Sequence, residues 1–174
     1  MPDTTAVRTL VLLRHAKSVR DGTPDADRQL AARGHADAAA VGRWFVEAGH
    51  EFGLVICSTS MRTRETWADL ERAGTAADHI TYDERVYEAG VDDLLDVLAD
   101  VPDETASVLV VGHAPGVPAL VETLADPERS DPDALHALRR SFPTSCFAVL
   151  TIERGWSDLA AHSAELGEVA APRG

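Results

Sequence analysis

The chain has 174 residues, 45% hydrophobic and 26% charged, which fits one folded unit with a sizeable core and argues against disorder. Its formal net charge of −13, from 29 acidic and 16 basic residues, argues against a nucleic-acid partner, because phosphate backbones reward basic surfaces. No apolar run is long enough to span a bilayer, and Met1-Pro2-Asp3-Thr4-Thr5 lacks the basic and apolar regions of a signal peptide, so a cytoplasmic protein without a membrane partner is expected.

The first predicted element is a buried strand at Leu10-Val11-Leu12-Leu13, which runs directly into Arg14-His15-Ala16-Lys17-Ser18. Lys17 is the single lysine beside fifteen arginines. A guanidinium matches phosphate oxygens and a neutral imidazole attacks phosphorus, so Arg14 and His15 at a strand exit suit phosphoryl chemistry. A surface Arg and His on a turn is the competing reading of this stretch alone. Residues 20–28, with Gly22, Pro24 and several charges, read as a loop bordering a substrate entrance.

A helix opens near Leu30 and ends near Gly49, with Ala38, Val41, Phe45 and Ala48 at helical spacing. A second strand, Phe52–Cys57, leads into a helix from about Ser60 to Arg72, with Ser58 or Thr59 as the expected cap. Arg62 then falls in the first turn, where free amides and the positive helix end favour an anion, while Arg64 points to the surface. Residues 79–88 combine a short strand with an acidic turn. Val91, Leu94, Leu95 and Leu98 form one helical stripe that Pro102 stops.

The strand Ser107–Val111 ends in Gly112-His113-Ala114-Pro115-Gly116, and Val117, Leu120, Val121 and Leu124 continue as a helix. His113 reads either as a core histidine closing a strand or as a second site histidine. A short helix follows, with Asp131 as cap and Pro132 at its first position. Ser145–Ile152 is the last clear strand, Trp156–Ala161 a candidate edge strand, and Ala170–Gly174 an expected frayed tail. Cys57 and Cys146 fall in predicted strands and read as buried free thiols. Alternating strands and helices with no linker or repeat imply a single domain over 1–174, with a mainly parallel sheet covered on both faces.

Three motifs, L-R-H-A-K-S at 13–18, S-x-x-x-R-x-x-x-T at 58–66 and V-V-G-H-x-P-G at 110–116, resemble the histidine phosphatase (phosphoglycerate mutase-like) superfamily, in that order. The short chain and the R-H-A-K-S wording are similar to the SixA-type phosphohistidine phosphatases. The resemblance implies an α/β fold, a three-layer α/β/α sandwich with a mainly parallel central sheet. It also implies His15 as the nucleophile that becomes phosphohistidine, Arg14 and Arg62 as clamps on the phosphoryl group, His113 as donor to another oxygen, and no cofactor. Ser18 is a candidate phosphate ligand, although turn serines commonly bond their own backbone. Glu88, or Glu84, stands where ester-cleaving members carry a general-acid glutamate; SixA-type members often dispense with it. Both glutamates also read as solvated surface residues. Ala31, Asp37 and Ala114 depart from the Thr, Gln and Asn common in the superfamily.

The substrate implied is a phosphohistidine protein or a small phosphorylated metabolite. A phosphomonoesterase or mutase of the same superfamily, and a phosphoprotein-binding module without turnover, remain the alternatives. Four residues separate Cys57 from Arg62 and six separate it from Arg64, which does not match a cysteine-phosphatase loop. No metal-binding spacing and no P-loop occurs.

Overall fold

Leu10, Val11, Leu12 and Leu13 are all completely buried. They form the centre of β1 (Arg8–Arg14) in the computed structural model, which describes residues 6–174. The segment 1–5, on which the signal-peptide reading rests, lies outside the described residues. A strand buried on both faces reads as an unbroken apolar run, and β1 does so because it lies inside the sheet.

On one side β1 pairs in parallel with β4 (Ser107–Gly112), and on the other antiparallel with β5 (Phe147–Ile152). Parallel pairing continues from β4 to β2 (Glu51–Cys57) and from β2 to β3 (Ala76–Tyr82), while β6 (Ala164–Ala170) closes the far edge antiparallel to β5. The order β3-β2-β4-β1-β5-β6 gives the expected mainly parallel sheet, with three parallel pairings and two antiparallel ones, both made by β5.

Alternation along β1 divides its side chains between two helical layers. Val11 and Leu13 join Val41 and Phe45 of α1 (Ala32–Glu47) and Trp67 and Leu70 of α2 (Met61–Arg72). Leu10 and Leu12 instead meet α3 (Val91–Ala99), α4 (Gly116–Leu124) and α5 (Pro132–Arg140), through Leu98, Leu120 and Leu135 among others. Each fully buried leucine contributes about 1.5–3 kcal/mol from burial, and truncating one to alanine costs about 2–5 kcal/mol.

The chain leaves β1 towards the α1 layer and leaves β4 towards the α4 layer. A crevice therefore opens between the carboxyl ends of these two neighbouring strands, the switch point at which open α/β sheets bind ligands.

Four local expectations are corrected. The cap of α2 is Ser60, whose hydroxyl pairs with Thr63 Oγ1 at 2.7 Å and makes no cap bond, rather than Ser58 or Thr59. Trp156 lies in a 3-10 turn (Trp156–Asp158), and its buried indole donates to the Thr105 carbonyl at 3.0 Å; the edge strand is β6. The tail is docked, not frayed: Arg173 donates to Asp37 Oδ2 at 3.3 Å and to the Thr144 carbonyl at 3.0 Å, and Gly174 N donates to Asp37 Oδ1 at 3.2 Å. The first helix starts at Ala32, not Leu30, with Ala31 at the cap position and no side-chain cap bond. Asp131 does cap α5, accepting from Ala134 N at 2.9 Å. Among the described residues no helix is long and apolar enough to cross a membrane.

Candidate active site

Three strand exits converge on one cleft of about 1210 Å³, lined by Arg14, His15, Lys17 and Ser18 after β1, Arg62 from α2 and His113 after β4. The backbone fixes these exits against one another. His15 N donates to the Gly112 carbonyl at 2.9 Å, Ser58 N to the Val111 carbonyl at 3.0 Å and Ser145 N to the His15 carbonyl at 3.1 Å. Thr66 supplies a further tie, because its Oγ1 accepts from Ala16 N at 3.0 Å and donates to the Arg62 carbonyl at 2.7 Å. The second motif's threonine therefore couples the histidine turn to the arginine turn.

Two glycines permit close approach at the rim. A Cβ on Gly34, in the first turn of α1, would collide with the Lys17 carbonyl, and one on Gly116 would collide with the Ala89 carbonyl.

The His15 and His113 rings lie 5.2 Å apart, centroid to centroid. His15 Nδ1 sits 2.7 Å from the Ala16 carbonyl, and a carbonyl only accepts, so the ring proton is on Nδ1 and the lone pair is on Nε2. Burial depresses the His15 pKa to about 3, with His113, Arg62 and Arg14 adding to the effect against the Ala16 hydrogen bond. His15 is thus a neutral imidazole with a free Nε2 at ordinary pH.

His113 is assigned by the same accounting. Its Nε2 is 2.8 Å from the Oγ of the fully buried Ser58, for which this nitrogen is the hydrogen-bond acceptor within reach. Ser58 donates, so His113 carries its proton on Nδ1. Burial, then Arg62, lowers the His113 pKa to about 4. Among the described residues the buried His113 Nδ1, Arg14 Nε and Arg62 Nε have no hydrogen-bond partner in the protein. Orphaned buried donors are rare and call for an explanation; Arg8 Nε and Ser145 Oγ are two more, on residues outside the cleft lining, whereas these three sit on residues that line one cleft, a donor set with the chemistry to meet an anion.

Three of the terminal nitrogens of these arginines are held by the protein. Arg14 Nη1 donates to the Phe142 carbonyl at 3.0 Å. Arg62 is buried and donates from Nη1 to the Asp25 carbonyl at 2.6 Å and from Nη2 to Asp25 Oδ2 at 3.1 Å. Arg64 lies outside the site, stacked over Tyr82 with its charge centre 4.2 Å from the ring centroid. Ser18 lines the cleft, with its hydroxyl accepting from Arg28 Nη1 at 2.7 Å. Glu88 is exposed and lines the cleft, whereas Glu84 belongs to a 3-10 turn (Glu84–Val86) away from the lining.

The sequence did not single out Asp25, Arg28, Tyr87 or the role of Ser58. Asp25 arrives on a 3-10 turn (Asp25–Asp27) within the 20–28 loop, and its contact with Tyr87 spans 62 residues, a separation that no local pattern reveals. Cys57 and Cys146 are free and buried, and burial pushes both thiols up to about 12, so neither is a thiolate near neutrality. Among the described residues no group of three or more His, Cys, Asp or Glu side chains is placed to hold a metal ion.

Comparison with known proteins adds an independent line. Residues 10–95 match the model of the histidine phosphatase superfamily (branch 1). A protein of uncharacterised function from Mycobacterium leprae is 36% identical over 166 residues, covering 92% of this chain and 100% of that protein. A candidate phosphohistidine phosphatase SixA from Nakamurella multipartitia is 39% identical with a TM-score of 0.84, covering 95% of this chain and 96% of that one. Its counterpart from Agrobacterium tumefaciens is 31% identical with a TM-score of 0.74, covering 95% and 99%.

Proposed function

The chain belongs to the histidine phosphatase superfamily, and from that premise we propose that this phosphatase works through a phosphohistidine intermediate on His15 and acts on phosphohistidine in a protein. The observation that carries the reading is the set of unpartnered buried donors, Arg14 Nε, Arg62 Nε and His113 Nδ1, on the residues that surround a neutral His15 with a free Nε2.

In the first step the Nε2 lone pair forms a bond to phosphorus as the substrate's phosphorus–nitrogen bond breaks. The leaving imidazole takes a proton from solvent. Arg14, Arg62 and His113 hold the three equatorial oxygens, whose charge must be met by preorganised donors. Water then attacks the phosphorus on His15, inorganic phosphate leaves, and the imidazole returns to its starting tautomer.

The preference for phosphohistidine rests on the leaving group. An alkoxide needs a positioned acid, worth about 10²–10⁴-fold, whereas imidazole departs with far less help. Glu88 is exposed at the cleft rim, which suits a site that does not depend on it. The similarity to the two SixA candidates supports the same choice. The second reading, a small-molecule phosphomonoesterase or mutase, is favoured by the one fact that Glu88 lines the cleft at all.

The test is kcat/KM across a phosphohistidine peptide, an aryl phosphate, a sugar phosphate and a nucleotide. The phosphohistidine peptide should lead. A sugar phosphate turned over fastest would move the assignment to the second reading, and binding of the peptide without turnover of any substrate would identify a binding module.

A further inference from the structure

Arg62 owes its setting to a residue that lies outside every motif of the sequence. Asp25 meets it twice, through its backbone carbonyl on Nη1 and its carboxylate on Nη2. A guanidinium has one N–H on Nε and two on each Nη. Asp25 therefore engages the edge formed by the two terminal nitrogens and leaves Nε–H, with the neighbouring Nη2–H, as a second fork. That Nε is buried and has no partner in the protein.

Asp25 is itself held from several directions. Tyr87 donates its hydroxyl to Oδ2, and Arg28 donates to Oδ1 from Nε at 3.2 Å and Nη2 at 3.1 Å. Arg28 continues to the histidine turn, donating from Nη1 to Ser18 Oγ at 2.7 Å and to the Val19 carbonyl at 3.1 Å. One chain of contacts thus runs from the exit of β1, through the loop and α2, to the segment before α3.

We propose that Asp25 is a positioning residue for the phosphoryl clamp: it fixes the terminal edge of Arg62 so that the Nε edge faces the phosphoryl oxygens, and Tyr87 and Arg28 hold Asp25 in place. Tyr87 is the largest influence keeping the Asp25 carboxyl below its usual range, followed by Arg62 and Arg28, so the acceptor stays ionised throughout the working pH range. An anion that merely occupied the binding face of Arg62 would compete with phosphate. Asp25 instead takes the face opposite the unpartnered nitrogen, and one of its two contacts is a neutral backbone carbonyl that no phosphate mimic requires.

The proposal rests on the reading of Arg62 as a phosphoryl ligand, and the two are separated by variants of each residue. Calorimetric binding of inorganic phosphate and steady-state hydrolysis of an aryl phosphate are measured for wild type, Arg62→Ala, Asp25→Ala, Asp25→Asn, Tyr87→Phe and the double variant Asp25→Ala with Tyr87→Phe. Asp25→Ala should weaken phosphate binding and lower kcat, each by about tenfold, the scale of losing one charge-assisted hydrogen bond. Asp25→Asn, which keeps an oxygen on Nη2, should recover most of both. Tyr87→Phe should produce a smaller loss that disappears in the Asp25→Ala background, since residues acting through one contact are not additive.

Removal of a negative charge alone strengthens anion binding, so the sign discriminates. Tighter or unchanged phosphate binding in Asp25→Ala overturns the positioning role, and full additivity with Tyr87→Phe overturns the link to Tyr87. Intact phosphate binding in Arg62→Ala instead overturns the underlying reading of the site.

Discussion

Ser58 Oγ lies 2.8 Å from His113 Nε2, and this contact decides which nitrogen of His113 carries the ring proton. Ser58 is fully buried at the end of β2, between the residues that end the strand and the turn that delivers Arg62. Replacing it with alanine frees the imidazole to adopt either tautomer. Ser58→Ala should lower kcat for an aryl phosphate by about 10–10²-fold with a smaller change in KM, because the lost donation matters most where charge develops. A change in KM alone would assign His113 to ground-state binding.

The two depressed histidines set a pH dependence. His15 and His113 titrate at about 3 and about 4, against 6.5 for an ordinary histidine. Between those values the unfolded chain binds protons that the folded chain refuses. Their contribution to stability is therefore complete above pH 6.5 and is lost as pH falls towards 3. Imidazole resonances followed by NMR should show both rings neutral at pH 5. Titration of either near 6.5 would contradict the burial argument.

Glu88 offers a test of the leaving-group argument. In Glu88→Gln, kcat/KM for a phosphohistidine peptide should change by less than about threefold, while any slow turnover of an alkyl phosphate falls by about 10²-fold or more if the glutamate protonates that leaving group. A collapse of the peptide activity would make Glu88 the general acid for the main reaction.

Activity should also survive incubation with a chelator, because Arg14, Arg62 and the histidines meet the phosphoryl charge. Loss with EDTA and recovery with zinc or magnesium would show that a cation shares that task.

What the sequence disclosed follows the range of the interactions. Leu10–Leu13, Ser107–Val111 and Phe52–Cys57 were legible because both faces of each strand are buried, and His15, Arg62 and His113 because each stands at the exit of such a strand. β6 was not legible: Ala164-Glu165-Leu166-Gly167-Glu168-Val169-Ala170 has low β-propensity, and a register shift at Val149/Leu150 breaks its alternation. Asp25 was hidden for a different reason. It lies in a polar loop with the composition of a solvated turn, and only the fold brings it to Arg62 and Tyr87. The docking of Arg173 on Asp37 is likewise a contact over 136 residues, and a terminal stretch without periodicity gives no sign of it.

In the proposed cycle His15 Nε2 becomes covalently phosphorylated. Rapid quench of the enzyme with a labelled phosphohistidine peptide or aryl phosphate, under alkaline conditions, should trap a phosphoenzyme that is stable to base and lost in acid, with the label on His15. His15→Ala should abolish both label and turnover. Turnover without a trappable intermediate, or a label that persists in His15→Ala, would rule out His15 as the nucleophile.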